Sequence, residues 1–399
     1  MAIMDDFSSN TALLTFDNTE IAFRQKSDEE LKRSYWLFKL ISNNFLAKVG
    51  PGITESALKL GLPVVPLIKK TLFKQFCGGE TIEECEPTIE ALAKGYVGTI
   101  LDYSVEGAVG DSSYLETADE IVRTIMRAKD DKRIPFAVFK PSGVARFKLL
   151  EKISSGQQLS NAEQAELFKV KGRINHICKT AFDHDVPVMF DAEESWIQNA
   201  CDKLALDMMR MYNRDKAIVY NTYQLYRKDK LDSLQFDFSM AERDGFVLGA
   251  KLVRGAYMDK ERERASRFGY ESPIHKDKES TDQAFNDALT FSIENINTIA
   301  IICATHNEES CLVLTEMMRK HKLEESRPHI YFAQLLGMSD NLSFNLSYTG
   351  YNVVKYVPYG PVKLVLPYLF RRADENKAIT GQMGRELSLI IREKKRRGI

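Results

Sequence analysis

Chemistry in this chain can rest on a set of polar residues that each close a short apolar run. In chain order they are Asp102, Lys140, Asp191, Gln224, Arg254, Thr305 with His306, Gln334 and Tyr356. Lys140 follows PFAVF and precedes Pro141-Ser142-Gly143, and Asp191 follows VPVMF in the same way. An isolated ammonium at the end of a buried strand is costly, so Lys140 must be paired or functional. Three roles fit it: a Schiff base with a carbonyl substrate, a grip on a substrate carboxylate, or a structural ion pair with Asp191. Arg371 and Arg372 follow the last run. Neighbours on a helix point about 100° apart, so one can clamp a carboxylate while the other meets a phosphate or an acid. A solvated patch balanced by Asp374 and Glu375 is the plainer alternative. Tyr257 in VRGAY and Tyr356 offer aromatic walls for a small ring. Arg254-Gly255 is a candidate anion grip, because glycine admits close backbone approach and arginine binds phosphate.

These residues need elements to hold them. The runs are GYVGTILDYS, PFAVFKPSG, VPVMFDAEE, AIVYNTYQ, VLGAKLVRG, TIAIICATH, HIYFAQLLG and VVKYVPYG. Most are nearly all apolar, as parallel strands buried on both faces must be. Helical segments lie between them: Thr117 with Glu120 predicts one cap, and Ser160 with Glu163 another. The alternation predicts an α/β fold, either an open doubly wound sheet or a (β/α)8 TIM barrel. The polar strand ends favour the barrel, which gathers all of them on one face. Before the barrel, Ser27 with Glu30 predicts a capped helix, and apolar spacing predicts another from Ala57 to Phe76. The expected division is an N-terminal helical region over 1–95 and a barrel with C-terminal helices over 96–399.

Composition narrows the function. With 55 Lys+Arg against 56 Asp+Glu the formal charge is −1, which argues against a global grip on nucleic acid. The six cysteines form no Cys-x-x-Cys and no zinc spacing with the histidines, so buried free thiols are expected and no metal. No run approaches the ~20 apolar residues of a membrane span. The acidic start, MAIMDDFSSN, predicts neither a signal nor a transit peptide, and hence a cytoplasmic protein. The basic end, REKKRRGI, follows an apolar stripe and suggests peripheral contact with the inner face of a membrane. Neither G-x-G-x-x-G after a strand nor a P-loop is present.

Taken in order, FKPSG, DAEES, YQLY, KLVRGAY, ATHN, QLLGM, KYVPYGP and YLFRRADEN resemble the motifs of the proline dehydrogenase family. The helical start and the segment from Lys152 to His184 are similar to its monofunctional, eukaryotic-type branch. The resemblance implies a distorted (β/α)8 barrel with an N-terminal helical arm and FAD at the strand C-terminal ends. It implies oxidation of L-proline to Δ1-pyrroline-5-carboxylate, with a membrane quinone as electron acceptor. Lys140, Arg371 and Arg372 would hold the proline carboxylate, with Leu252, Tyr257 and Tyr356 around the ring. Asp191 would lie between Lys140 and the flavin, with Ala192 beside it. Lys251 matches a position near flavin N(5) that is often arginine in bacterial relatives. Lys140, Asp191, Lys251 and Tyr356 are thus the implied catalytic group. Asp191, Gln224, Lys251, Val253, Arg254, Gly255, Thr305, His306, Gln334, Arg372 and Glu375 match cofactor contacts. A hydroxyproline dehydrogenase of the same fold is the alternative, and Tyr356 favours proline because its hydroxyl crowds the carbon that would carry the extra oxygen.

Overall fold

A computed structural model of the chain describes residues 14–41, 65–104, 110–378 and 382–399. Each of the apolar runs forms a strand: β1 Val97–Tyr103, β2 Phe136–Phe139, β3 Val188–Phe190, β4 Val219–Gln224, β5 Leu248–Val253, β6 Ile299–Ala304, β7 Ile330–Leu335 and β8 Val353–Tyr359. Each strand pairs in parallel with the next, and β8 returns to β1 to close an eight-stranded barrel. The closing register runs from Val97 opposite Val353 to Tyr103 opposite Tyr359.

Side chains alternate across a strand, and this period decides what can reach the barrel axis. Ile100, Val138, Met189, Tyr220, Ile302 and Val354 fill the inside of the barrel. The intervening residues, among them Leu101, Phe139, Val188 and Leu252, face outward into the layer between strands and helices. There they meet Ile121 and Ile125 of helix Asp111–Ala128 and Ile174 and Ile177 of helix Asn161–Asp183. The second of these helices starts on the expected capping box of Ser160 and Glu163. The first does not start at Thr117. Its N-terminal turn begins at Asp111, and the Thr117 hydroxyl bonds back to the Ser113 carbonyl within the helix.

A second core lies beside the barrel. Helix Asp28–Ile41, opened by the Ser27–Glu30 box, packs Leu31, Leu37 and Phe38 with Val365 and Leu369 of helix Val362–Ala378. Leu389 and Ile390 of helix Gln382–Arg397 complete this core. Helices from early and late in the described chain are therefore folded on one another. Helix Glu86–Lys94 instead buries Ile89 and Leu92 in the barrel layer, so barrel packing begins before residue 96. Residues 57–64 of the expected second helix lie outside the described residues, and 65–76 are helical with one π turn.

The basic C-terminal helix spends part of its charge on the N-terminal arm. Arg392 pairs with Asp17 at 2.9 Å and Arg397 with Asp28 at 3.0 Å, while Lys394 stands 4.2 Å from the centroid of the Tyr35 ring. Much of the charge expected to face an anionic surface serves the N-terminal arm instead. No helix among the described residues is long and apolar enough to cross a membrane. All six cysteines are buried and free.

Gly249 packs closely against β4. A Cβ there would lie 2.3 Å from the Val219 carbonyl oxygen, and that oxygen belongs to backbone and cannot turn aside. Gly249→Ala is expected to destabilise the barrel by about 1–3 kcal/mol or more. A thermal midpoint equal to wild type would contradict this packing.

Candidate active site

The apolar filling of the barrel stops at its C-terminal mouth, where the same inward period brings up charged residues. Lys251 on β5 is 4% exposed. Its ammonium pairs with the Asp191 carboxylate and donates to the Tyr356 hydroxyl at 2.7 Å. It also stands 4.8 Å from the centroid of the Tyr356 ring. The Tyr356 oxygen lies 3.4 Å from Asp191 Oδ1 and 3.4 Å from Met189 Sδ. Three strands distant in sequence thus meet at one buried ion pair. Burial, then Asp191 and Asp102, push the Tyr356 hydroxyl well above the ordinary phenol range, so it stays protonated. Tyr356 does not end its strand, as the run suggested. β8 continues to Tyr359, and Tyr356 sits within it, facing the axis.

Asp102 on β1, one of the strand-end residues named from the sequence but given no specific role there, joins this group. Its carboxyl is raised by burial, and Lys140 opposes the rise while Asp191 adds to it. The Ser104 hydroxyl donates to it at 2.6 Å. Its signal was available: Ile100 points inward, so Asp102 two residues on points inward too. The mouth therefore balances Lys140 and Lys251 against Asp102 and Asp191.

The rim is built from the loops that follow the strands. Gln224 donates to the Glu193 carbonyl at 2.7 Å. Arg254 is fixed on three sides, by Asp282 at 2.7 Å, the Thr305 hydroxyl at 2.6 Å and the Ser310 hydroxyl at 2.9 Å. Next to it Gly255 adopts φ +134°, and a Cβ there would lie 2.4 Å from the Tyr226 ring. The position needs glycine for both reasons. His306 Nδ1 meets the Ser339 hydroxyl at 2.9 Å. Tyr257 is half-buried, with the Lys260 ammonium 5.4 Å from its ring centroid. Ala192, Val253 and Arg371 are also half-buried. The side chains of Arg372 and Glu375 lie outside the described residues.

Two expected site residues face the other way. Leu252 alternates with Lys251 and is wholly buried in the layer between strands and helices, away from the mouth. Gln334 alternates with the inward Ala333. It donates to the Thr305 carbonyl at 3.1 Å and accepts from the Ser343 hydroxyl at 2.8 Å, tying β7 to the end of β6. A matching motif gives position but not facing. Leu335, opposite Tyr356 in the β7–β8 register, is inward-facing and half-exposed.

The donor chemistry of this face fits a flavin dinucleotide. A fixed arginine beside an exposed glycine backbone suits a pyrophosphate, and the hydroxyl, imidazole and amide groups around the rim suit the rest of such a group.

Glu193 braces the same mouth. Its carboxylate accepts from the Ser142 N–H at 2.9 Å and from the Ser142 hydroxyl, joining the loops after β2 and β3. Burial pushes its carboxyl up to about 7, with Glu194 adding to the rise and Ser142 and Lys140 opposing it. The folded state thus binds this proton more tightly than the unfolded chain, so stability falls as pH rises from about 4.5 towards 7. Glu193→Gln should flatten that loss, gaining roughly 3 kcal/mol on wild type across the window. Thermal midpoints of the two proteins that stay parallel over this range would contradict the assignment.

Comparison with known proteins agrees with this geometry. The proline dehydrogenase family model matches residues 85–385. Proline dehydrogenase 1, mitochondrial, of Dictyostelium discoideum is 34% identical, over 98% of this chain and 76% of its own. Carbapenem antibiotics biosynthesis protein CarD of Pectobacterium carotovorum subsp. carotovorum is 35% identical, over 81% of this chain and 83% of its own. Among solved structures, proline utilization A from Bdellovibrio bacteriovorus, inactivated by N-propargylglycine, shares the fold with a TM-score of 0.71 at 17% identity. That match covers 90% of this chain and 38% of the larger protein. With a matching family model over most of its length and a relative aligned along nearly all of it, the chain belongs to the proline dehydrogenase family.

Proposed function

We propose that this family member oxidises L-proline to Δ1-pyrroline-5-carboxylate at a bound FAD, with a quinone as the electron acceptor. The observation that supports this most is the buried Lys251–Asp191–Tyr356 group at the barrel mouth. In this reading Lys140, Arg371 and Arg372 hold the substrate carboxylate, and Tyr356 and Tyr257 flank the ring. The cations also favour the neutral amine, by lowering its pKa. Its lone pair then assists loss of hydride from the ring carbon beside nitrogen, and the resulting iminium releases a proton to give the imine. FAD, when bound, supplies the two-electron acceptor for that hydride. Gln224, Lys251, Val253, Arg254, Gly255, Thr305, His306, Arg372 and Glu375 are the residues proposed to hold it. Positioning of the ring carbon is the protein's main contribution.

The Tyr356 hydroxyl is fixed by Lys251, and a fixed hydroxyl against the ring favours proline over its 4-hydroxy derivative. Steady-state rates with both imino acids test this, and a preference for hydroxyproline would reverse the substrate assignment. Several relatives carry "mitochondrial" in their names, which argues against the cytoplasmic placement expected from the sequence.

Arg371→Met and Arg372→Met should each raise the KM for proline by about tenfold or more, as loss of a charge-assisted hydrogen bond implies. An unchanged KM in both variants would rule out the carboxylate clamp. Lys251→Met should shift the flavin reduction potential, because a buried cation beside a cofactor stabilises its more negative state. A redox titration returning the wild-type potential would remove Lys251 from the flavin's surroundings.

A further inference from the structure

A second buried charge cluster joins four segments that are distant in the chain. Asp340, at the start of helix Asp340–Tyr348, lies 2.8 Å from Lys355 Nζ on β8 and 2.8 Å from Lys26 Nζ in the N-terminal arm. Burial alone would raise its carboxyl, but Lys26 and Lys355 pull it down to about 2. Lys355 is wholly buried and also donates to the Met338 carbonyl at 2.7 Å. Glu386, from the C-terminal helix, completes the group. Burial and the Asp340 charge push its carboxyl up to about 7, and Lys355 and Lys26 draw it back.

Glu386 makes a specific contact. Its Oε1 accepts from the backbone N–H of Ser339. Ser339 stands at φ +49° and ψ 44°, a left-handed conformation that is unfavourable for a residue with a Cβ. Its hydroxyl is the one that meets His306 Nδ1 at 2.9 Å. A helix that only needed docking would sit as well on an apolar residue, because burying a carboxylate is expensive. Here the carboxylate is placed where it holds a strained residue whose side chain reaches the rim.

We propose that Glu386 is a positioning residue for the cofactor site: by holding the Ser339 N–H it keeps Ser339 left-handed and so fixes the ring of His306. This rests on the reading of His306 as part of the flavin site. It makes the C-terminal helix, and the arm folded against it, part of what completes that site.

The test uses the full-length holoenzyme with Glu386→Ala, Glu386→Gln and Ser339→Ala. FAD release on dilution is followed by recovery of free-flavin fluorescence, and thermal midpoints are measured alongside. Glu386→Ala and Ser339→Ala should each release FAD about tenfold faster, as loss of a positioning hydrogen bond implies. Glu386→Gln should restore most of the retention, since glutamine keeps an oxygen that accepts from Ser339. Ser339→Ala should melt close to wild type. Wild-type FAD retention in either Ser339→Ala or Glu386→Ala would overturn the proposal. A wild-type protein that holds no FAD would overturn the flavin reading itself, and the proposal with it.

Discussion

A desolvated ammonium must be neutralised where it stands, and the mouth of this barrel is arranged around that requirement. Lys251 rises from β5 at the level where apolar packing stops, and Asp191 from β3 and Tyr356 from β8 converge on it. Removing one member of such a buried pair typically costs about 3–5 kcal/mol, because the other is left uncompensated. The barrel needs its closing β8–β1 register to bring Tyr356 round to Lys251. Asp102 arrives on β1 by the same closure. Stability and site geometry are therefore one constraint: the register that seals the barrel also assembles the charges at its mouth.

Around this centre the loops act as braces. Glu193 joins the loops after β2 and β3 through Ser142, and Arg254 joins the end of β5 to Thr305 and to the helices carrying Asp282 and Ser310. Gln334 ties β7 to the end of β6 from outside the barrel. Glu193 and Arg254 bring polar groups to the mouth while their own bonding is largely satisfied within the protein. That suits a site whose task is to hold a cofactor and a small substrate in fixed relation. The N-terminal arm and C-terminal helices, sharing their own core, brace the loop after β7 in turn.

The barrel was legible in the sequence because parallel strands covered on both faces must be apolar, and each ended in a conspicuous polar residue. Lys140, Asp191 and Tyr356 could be picked out for the same reason, whereas Lys251 stood out only through the family resemblance. Facing was harder to read. Leu252 and Gln334 occupy matching motif positions, yet the two-residue period turns both away from the axis. Counting that period from Lys251 shows Leu252 facing outward, and counting from Ile100 places Asp102, already conspicuous as a strand-end acid, at the mouth. The cluster of Lys26, Asp340, Lys355 and Glu386 left no such trace. Its members come from the arm, the first turn of a helix, a strand and the last helix, so only the folded chain brings them together. Nor could the sequence show that part of the basic tail's charge is paired far away in the chain, at Asp17 and Asp28.

The central claim is that the charged mouth of this barrel holds FAD and delivers the hydride of proline to it. Anaerobic titration of the purified protein with L-proline, followed in the visible spectrum, tests this most directly. The account predicts oxidised-flavin absorbance that bleaches on adding proline and returns when a quinone is supplied. A colourless protein, or flavin absorbance that proline leaves unchanged, would contradict it.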